Sequence, residues 1–194
     1  MVIWYNLDDF GVVMSLFEIV LIGAGLSMDA FAVTISNTMG HTDLSRARLL
    51  SMPAAFGAFQ GIMPFLGYFL GSFFREILEK YQGIVAFLIL GVIGAKMIID
   101  SIREKDEKTE DTLSITVLLA QAVATSIDAF AVGVGFAGTN INIISASSLI
   151  ALTTFILILI AIPAGQKLGE ILGKRAKIIG GIVLIAIGIK SLIG

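Results

Sequence analysis

The chain has 194 residues, of which 57% are hydrophobic and 14% charged, and its mean hydropathy is +0.97. Apolar stretches of membrane-spanning length recur from end to end, which predicts an integral membrane protein with nothing left over for a soluble domain. Cysteine is absent and His41 is the only histidine, which excludes disulfides, thiolate sites and histidine-rich metal sites. The net charge of −2 carries little information, and we expect no nucleic-acid partner.

Six apolar segments predict an all-α protein with six transmembrane helices of about 20 residues each. We place them at residues 16–38, 49–73, 82–101, 113–137, 145–166 and 178–193. Polar or charged stretches connect them at residues 40–48, 75–80, 103–111, 138–142 and 167–177. Asp8 and Asp9 stand where a signal peptide would carry basic residues, so we expect no removable signal peptide.

The second half of the chain repeats the first. The sequence SMDAFAV at residues 27–33 recurs as SIDAFAV at residues 126–132. The third predicted span shares its Gly-x-Lys motif, which ends at Lys96, with the sixth, where it ends at Lys190. A further correspondence comes from spacing: Asp29 and Asp128 lie 99 residues apart, and so do Pro64 and Pro163.

Three spans in each repeat determine how the two copies are related. An odd number of membrane crossings reverses the next copy, so the sequence predicts two inverted three-helix repeats. We assign them to residues 1–102 and 112–194, joined by a charged cytoplasmic linker at residues 103–111, and together they form one membrane domain. Such inverted repeats are typical of transporters that bind substrate near mid-membrane, at the interface between the repeats.

Lysine and arginine are distributed unequally between the two sides of the membrane. One side receives Arg75 and Lys80. The other side receives Arg46, Arg48, Arg103, Lys105, Lys108, Lys167, Lys174, Arg175 and Lys177. Because short cytoplasmic loops carry an excess of basic residues, the sequence predicts that both termini lie outside the cytoplasm.

Asp29 and Asp128 are the candidate functional residues, because ionisable residues inside a membrane are costly and mark functional sites. Each lies about twelve residues into its span, which is near mid-membrane. Small residues share their helix faces, so we expect the two helices to pack closely with both carboxylates inward. Two carboxylates so close in a medium of low dielectric constant repel one another unless a cation or proton neutralises them.

The available ligands favour a hard divalent cation. Oxygen ligands suit Mg²⁺, Ca²⁺ or Mn²⁺, whereas soft metals prefer cysteine and zinc commonly takes histidine. A thioether from Met28, beside Asp29, would shift the preference toward a transition metal such as Mn²⁺. The oxygens that could support the carboxylates belong to Ser27, Thr125, Ser126, Gln60 and Gln121.

Two further pairs of residues occupy matching positions in the halves. Pro64 and Pro163 lie inside the second and fifth spans, where proline bends a helix and could expose carbonyl groups to an ion path. The alternative is close helix packing at the glycines that follow. We expect Lys96 and Lys190 to extend toward the membrane surface; the alternative is that each is a partner for an aspartate or a tethered cation when the site is empty.

Four groups of residues together resemble the MntP family of manganese efflux pumps, within the LysE-like transporter superfamily. They are the doubled Ser-x-Asp-Ala-Phe-Ala motif, the series Phe56-Gly57, Gln60, Met63-Pro64 and Gly67, the stretch Gly94-x-Lys96-Met97-Ile98, and Gly173-Lys174-Arg175-Ala176 before Gly180-Gly181. The resemblance runs over essentially the whole chain, and the doubled aspartate motif is its most specific part.

The resemblance implies a multi-pass exporter of Mn(II) in the plasma membrane of a prokaryote, with Asp29 and Asp128 as metal-binding residues and no prosthetic group. Members of the family can carry an acidic residue where this chain has Gln60, so a third carboxylate is absent here. We expect alternating access with proton antiport, because the sequence has neither a Walker-type motif nor a phosphorylation aspartate in a soluble domain. The sequence leaves open whether the protein forms a homo-oligomer.

Other classes of function remain open at this point. A LysE-like exporter of amino acids or other small cations would use the same repeats but would need a larger cavity. An intramembrane aspartyl protease also uses two membrane aspartates, yet its Gly-x-Gly-Asp context is missing, which disfavours an enzyme. A purely structural membrane subunit would leave the duplicated carboxylates unexplained.

Overall fold

The computed structural model describes residues 15–41, 44–103, 113–137, 141–172 and 175–193. These residues form six helices and, within the described ranges, no strand, which confirms the predicted all-α class. The helices are α1 (Leu16–Gly40), α2 (Arg46–Arg103), α3 (Ile115–Thr125), α4 (Ile127–Phe136), α5 (Ile143–Leu172) and α6 (Ala176–Ile193). The predicted linker from residue 104 onward lies outside the described residues.

The lengths and composition of the helices are those of a multi-pass membrane protein. Four segments are long and apolar enough to cross a membrane: Leu16–Gly40, Arg46–Leu70, Ile115–Phe136 and Ile143–Leu172. Two shorter apolar helices are Phe87–Lys96 and Ile178–Lys190. These six segments follow the order of the six predicted spans. The helices differ from the prediction in two ways: α2 contains both the second and the third span, and the fourth span is divided between α3 and α4.

α1 begins at a cap that the sequence supplies. The Ser15 side chain accepts a hydrogen bond from the Glu18 backbone N–H at 3.2 Å, and the Glu18 carboxylate accepts one from the Ser15 backbone N–H at 2.7 Å. This reciprocal capping satisfies two backbone donors that a helix start leaves unpaired. The helix ends at Gly40, so the predicted first span is confirmed and extends two residues further.

α2 departs from the prediction in its local structure. The predicted turn at residues 75–80 is helical, so the second and third predicted spans belong to one continuous helix, Arg46–Arg103. The turn sequence, REILEK, consists mainly of residues with high helix propensity and contains neither glycine nor proline. Charge alone therefore does not interrupt the helix.

α2 nevertheless makes contacts that a straight helix could not make. Gln60 Nε2 donates a hydrogen bond to the Leu26 carbonyl of α1 at 2.8 Å. Further along α2, Gly94 packs against Gly181 of α6, the residue that follows Gly180. Ser36 of α1 donates a hydrogen bond to the carbonyl of residue 180 at 2.7 Å. Both parts of α2 thus lie near the same helix, α1.

The spacing of these contacts requires a sharp bend. The contact positions on α1, Leu26 and Ser36, lie ten residues apart, or about 15 Å along a helix. The contact positions on α2, Gln60 and Gly94, lie 34 residues apart and would be separated by about 51 Å in a straight helix. α2 must therefore fold back between two limbs, which we define as residues 46–70 and 87–103. The chain reversal expected between the second and third spans is present, within helical local geometry.

The predicted fourth span is divided into α3 and α4 at Ser126, whose backbone has φ −111° and ψ 3°. The Ser126 N–H donates to the Val123 carbonyl at 3.1 Å, which tightens the last turn of α3. Thr125 Oγ1 donates to the Gln121 carbonyl at 3.0 Å, and Ser126 Oγ donates to the Val123 carbonyl at 3.1 Å. Hydroxyl groups that bond to nearby carbonyls compete with the regular helix pattern, and two consecutive ones coincide with the break.

Helices from the two halves of the chain run antiparallel to each other. In each limb of α2, the residue number on the partner helix falls as the number on α2 rises. The contacts are Gly57 with Phe155, Gly61 with Ser147, Phe87 with Gly188, and Gly94 with Gly181. The first limb therefore pairs with α5, and the second limb pairs with α6.

Both prolines that were expected to bend the path lie inside continuous helices, Pro64 in α2 and Pro163 in α5. The glycines near Pro64 serve close packing: a Cβ added at Gly67 would overlap the backbone of Phe130, and one at Gly133 would overlap Pro64. The first limb of α2 and α4 thus touch backbone to backbone. The packing alternative is the one that the structure supports for Pro64.

Candidate metal site between the two aspartate helices

Asp29 and Asp128 come from helices that lie side by side. Asn37 and Gln121 exchange two hydrogen bonds between α1 and α3, at 2.7 and 3.1 Å. Asp29 precedes Asn37 by eight residues and Asp128 follows Gln121 by seven, so antiparallel helices place both carboxylates at a similar depth. The charges of the two carboxylates are close enough to interact.

Asp29 lies in the middle of α1, which continues unbroken through the motif. Its side chain is 25% exposed, and its Oδ1 atom accepts a hydrogen bond from Lys190 Nζ at 3.1 Å. This ion pair joins α1 to α6. For Lys190, therefore, pairing with an aspartate is observed in place of the expected extension toward the membrane surface.

Asp128 lies in the first turn of α4, directly after the break at Ser126. Its Oδ1 atom accepts a hydrogen bond from the Ala129 backbone N–H at 2.8 Å. The N-terminus of a helix carries partial positive charge, which favours a carboxylate at this position. Lys190 is also within electrostatic range of Asp128.

The three hydroxyl groups predicted to support the carboxylates are all buried and all bonded to the protein. Ser27 Oγ donates to the Gly23 carbonyl and lies 2.7 Å from Thr154 Oγ1 on α5. Thr125 and Ser126 donate to carbonyls of α3, as described for the helix break. These hydroxyl groups shape the helices that carry the aspartates, and each oxygen retains a lone pair that could face a cation.

The two predicted amides are also buried and bonded. Gln60 is 1% exposed and uses Nε2 to bond the Leu26 carbonyl on α1, one turn before Asp29. Gln121 is fully buried, and both ends of its amide are bonded to Asn37. Gln121 therefore holds α1 and α3 together at some distance from the carboxylates, while Gln60 lies nearer to Asp29.

Met28 lies on the outer surface of α1, where 47% of the residue is exposed. Its neighbours in sequence, Ser27 and Asp29, are respectively fully and largely buried. Consecutive helix residues point in directions about 100° apart, because a turn takes 3.6 residues. The structure thus gives no support for a thioether ligand beside Asp29.

The site offers two carboxylates and neutral oxygens. In the part of the chain that the structure describes, no three His, Cys, Asp or Glu residues form a metal-binding group. A Cβ added at Gly25, which is exposed and lies one turn before Asp29, would meet no atom within 4 Å. The same holds for Gly135, two turns after Asp128. An oxygen-only set of this kind suits a hard divalent cation.

Sequence reasoning missed Asn37 and Thr154, the partners of Gln121 and Ser27. Both are fully buried polar residues inside apolar helices. Such residues are unfavourable in a membrane interior unless another helix supplies a hydrogen-bond partner. Their polarity within a predicted span was the available signal, but the sequence does not identify the partner.

Comparison with known proteins connects this arrangement to one family. The family model described as "Putative manganese efflux pump" matches residues 43–192. A relative named "Putative manganese efflux pump MntP", from Ruminiclostridium cellulolyticum, is 44% identical over 179 residues, which cover 91% of this chain and 95% of the relative. Relatives of the same name from Campylobacter hominis and Methanosphaera stadtmanae are 45% and 38% identical, each over 91% of this chain and over 96% and 98% of the relatives.

No solved structure matches the chain. The family match covers more than half of the chain, and the alignments to the relatives cover nearly all of it. The helical structure with several apolar, membrane-spanning segments agrees with what the sequence resemblance implied. The chain belongs to the MntP family of manganese efflux pumps, which are transporters and not enzymes.

Proposed function

We propose that the protein exports Mn²⁺ from the cytoplasm of a prokaryotic cell across the plasma membrane, and that the metal binds between Asp29 and Asp128. The observation that carries this proposal is that two carboxylates from separate copies of one motif reach a similar depth beside the Asn37–Gln121 contact, inside an apolar helical bundle. Intramembrane carboxylates mark ion and substrate pathways in membrane proteins.

The charges of the site match a divalent substrate. Asp29 and Asp128 together carry two negative charges when both are ionised, and a divalent cation neutralises them without a further ligand charge. Oxygen ligands alone would accept Mn²⁺, Mg²⁺ or Ca²⁺. The names of the relatives favour manganese among these ions, and this is why we propose Mn²⁺ as the transported substrate.

The architecture supports alternating access between two inverted repeats. An offset of 94 relates positions 87 and 94 of the first half to positions 181 and 188 of the second half. Two observed contacts exchange these equivalent positions: Gly94 with Gly181, and Phe87 with Gly188. The same contact therefore occurs twice, with the helices exchanged, as a twofold relation between repeats requires. We infer that residues 1–102 and 112–194 rock against each other around the metal site.

The buried amide pair of Asn37 and Gln121 suggests which side of the site is closed. It lies toward the end of the bundle where α1 ends at Gly40 and α2 begins at Arg46. Basic residues concentrate at this end, which we assign to the cytoplasm, with both termini outside. In this conformation, the amide pair would block passage between the cytoplasm and the aspartates.

Proton antiport would complete the cycle. Protonation of a carboxylate weakens its hold on a metal ion, since metal ligands have to be deprotonated. A proton from outside would therefore release the metal and neutralise one of the two carboxylates for the return step. This coupling follows from the two carboxylates and needs no nucleotide.

The test is Mn²⁺ efflux from loaded proteoliposomes, together with calorimetric titration of Mn²⁺, Mg²⁺, Ca²⁺ and Zn²⁺ against the purified protein. Asp29→Asn and Asp128→Asn should each lower Mn²⁺ affinity by about tenfold or more, the effect of losing one charged ligand. Glu170→Gln, an exposed carboxylate on α5, is the matched control and should leave affinity unchanged. Efflux that is unaffected by Asp128→Asn would refute the proposed site.

A further inference from the structure

The ion pair between Lys190 and Asp29 is an unexpected feature of the bundle. It connects residues 161 positions apart in sequence, at a distance of 3.1 Å. The Lys190 side chain is 70% exposed, and that of Asp29 is 25% exposed. A charge inside a membrane-spanning bundle is costly unless an opposite charge pairs with it.

The Lys190 ammonium lies at the depth of the metal site. The hydrogen bond from Ser36 to Gly180 sets the relative position of α1 and α6. From this point, Asp29 lies seven residues along α1 and Lys190 lies ten residues along α6, or about 10 and 15 Å. Because the helices run antiparallel, the two residues reach nearly the same depth. A lysine that extended to the membrane surface would direct its ammonium away from Asp29.

Close packing fixes the start of the Lys190 side chain. α6 touches the second limb of α2 at two glycines, where Gly181 meets Gly94 and Gly188 meets Phe87. Lys190 follows Gly188 by two residues. The flexible part is therefore the lysine stem alone, which can move its ammonium while α6 stays in place.

Because both are positively charged, the Lys190 ammonium and a divalent metal ion compete for Asp29. When no metal is bound, the ammonium neutralises Asp29 and is also within electrostatic range of Asp128. A bound divalent cation neutralises both carboxylates and repels the ammonium at close range. The two cations therefore cannot both remain at Asp29.

We propose that Lys190 is a tethered counter-cation of the metal site, which holds Asp29 while no metal is bound and leaves it when a divalent cation binds. This inference rests on the proposed metal site. The tether weakens metal affinity, because each metal ion has to displace the ammonium. It also stabilises the empty site during its return, when Asp29 would otherwise carry an uncompensated charge.

Lys96 provides a matched control within the same chain. It occupies the equivalent position in the first half and is exposed. Although the structure describes both residues, it contains no ion pair between Lys96 and Asp128. The tether is thus a property of one half of the chain, and only Lys190 should compete with the metal.

Calorimetric titration of Mn²⁺ tests the competition directly. Lys190→Gln should bind Mn²⁺ about tenfold tighter than the wild type, the scale of one hydrogen bond between charged groups. It should also export more slowly at saturating Mn²⁺, since the empty site loses its counter-cation. Lys190→Arg keeps the charge and should restore wild-type affinity, while Lys96→Gln should not change it. A merely structural role for Lys190 would instead weaken binding.

A second measurement uses the unmodified protein and does not depend on how a variant folds. An amine-reactive reagent should label Lys190 faster in the presence of saturating Mn²⁺, because the ammonium has left Asp29. Mass spectrometry follows the labelling of each lysine, and Lys96 should be labelled at the same rate with and without the metal. Unchanged or slower labelling of Lys190 would overturn the proposal.

The failures of the two proposals can be told apart. If neither Asp29→Asn nor Asp128→Asn weakens Mn²⁺ binding, the metal site itself is wrong. If both aspartate variants lose binding while Lys190→Gln binds no tighter than the wild type, the metal site stands and the tethered counter-cation is refuted.

Discussion

The two copies of the aspartate motif differ at one position in seven, yet they fold differently. SMDAFAV lies inside α1, which continues unbroken from Leu16 to Gly40. SIDAFAV begins at Ser126, where the chain leaves α3 and starts α4. Because the motifs are nearly identical, the difference has to come from their surroundings.

The serine that opens each motif has a different partner in each copy. Ser27 Oγ lies 2.7 Å from Thr154 Oγ1 on α5, so it connects two helices. In the first half, the position equivalent to Thr154 is Ala55, which offers no hydroxyl group. Ser126 instead donates to the Val123 carbonyl of its own chain segment, beside a second hydroxyl at Thr125. Ser27 also donates to a carbonyl of its own helix, at Gly23, without a break, so local bonding by one hydroxyl is not sufficient, and the break coincides with two consecutive ones.

The break gives the two carboxylates different sources of positive charge. Asp128 gains the N-terminus of α4 and the Ala129 backbone N–H. Asp29 lies in the middle of a helix, where no such terminus is available, and is paired with Lys190. The two halves are thus equivalent in sequence and unequal in electrostatics. In the proposed transport cycle, only the Asp29 side needs a movable cation.

The largest expected effect comes from the packing of α4, the helix that carries the second copy of the motif. Gly133→Ala would place a Cβ against the backbone of Pro64, which a change of side-chain rotamer cannot relieve. We expect a loss of about 3 kcal/mol in stability, the upper end of the usual cost of overpacking. The measurement is the fraction of monodisperse protein in detergent after heating.

Gly135→Ala is the matched control for this substitution. It lies two residues further along α4, and an added Cβ there would meet no atom within 4 Å. The melting behaviour of Gly135→Ala should therefore stay near that of the wild type. Equal destabilisation by both substitutions would show that helix flexibility, and not the contact with Pro64, is the reason for glycine at position 133.

The next effect concerns the amide pair that joins the two motif helices. Asn37→Ala would leave the buried Gln121 amide without its partner, which should cost about 1–3 kcal/mol. The Asn37→Leu and Gln121→Leu double variant removes both polar groups and should recover most of this stability. If the amide pair also closes the cytoplasmic side, the double variant should leak Mn²⁺ faster than the wild type in proteoliposomes. An unchanged leak would contradict the closing role.

The repeat makes this prediction sharper. At the opposite end of the same helix pair, the positions equivalent to Asn37 and Gln121 are Phe136 and Ile22. Both belong to an apolar cluster, in which Phe136 is buried and Ile22 packs against it. One end of the site is therefore held by an amide pair and the other by apolar contact. Substitutions at the apolar end should affect packing without leaving an unpaired polar group.

Much of this fold follows from the sequence. The apolar composition indicates that the protein lies in a membrane, and the apolar runs indicate where its helices lie. The six apolar segments and their order were predictable. The break at Ser126 was not, since the equivalent serine of the nearly identical first motif lies inside a continuous helix. The helical connection at residues 75–80 was also missed. Its charged residues indicated a turn, but the same residues have high helix propensity and continue the helix.

The candidate site was predictable to a similar degree. Duplication identified Asp29 and Asp128, and a pair of residues in one motif can be recognised without knowing any contact. Lys190 was assigned to the wrong surroundings, because a lysine near a helix end usually extends toward the membrane surface. Only the approach of α6 to α1 brings its ammonium to Asp29. Contacts between distant segments depend on how the helices pack, and the sequence pattern does not predict them.

The smallest expected effect lies at the single position where the motifs differ, Met28 in one copy and Ile127 in the other. Met28→Leu removes the thioether and keeps the volume nearly constant, a change that proteins usually tolerate. Because Met28 is 47% exposed on the outer surface of α1, Mn²⁺ affinity and the preference for Mn²⁺ over Mg²⁺ should stay at wild-type values. Calorimetric titration with both ions provides the measurement. A selective loss of Mn²⁺ affinity in Met28→Leu would mean that the thioether reaches the metal in another conformation, and that the two motifs differ in their ligands as well as in their electrostatics.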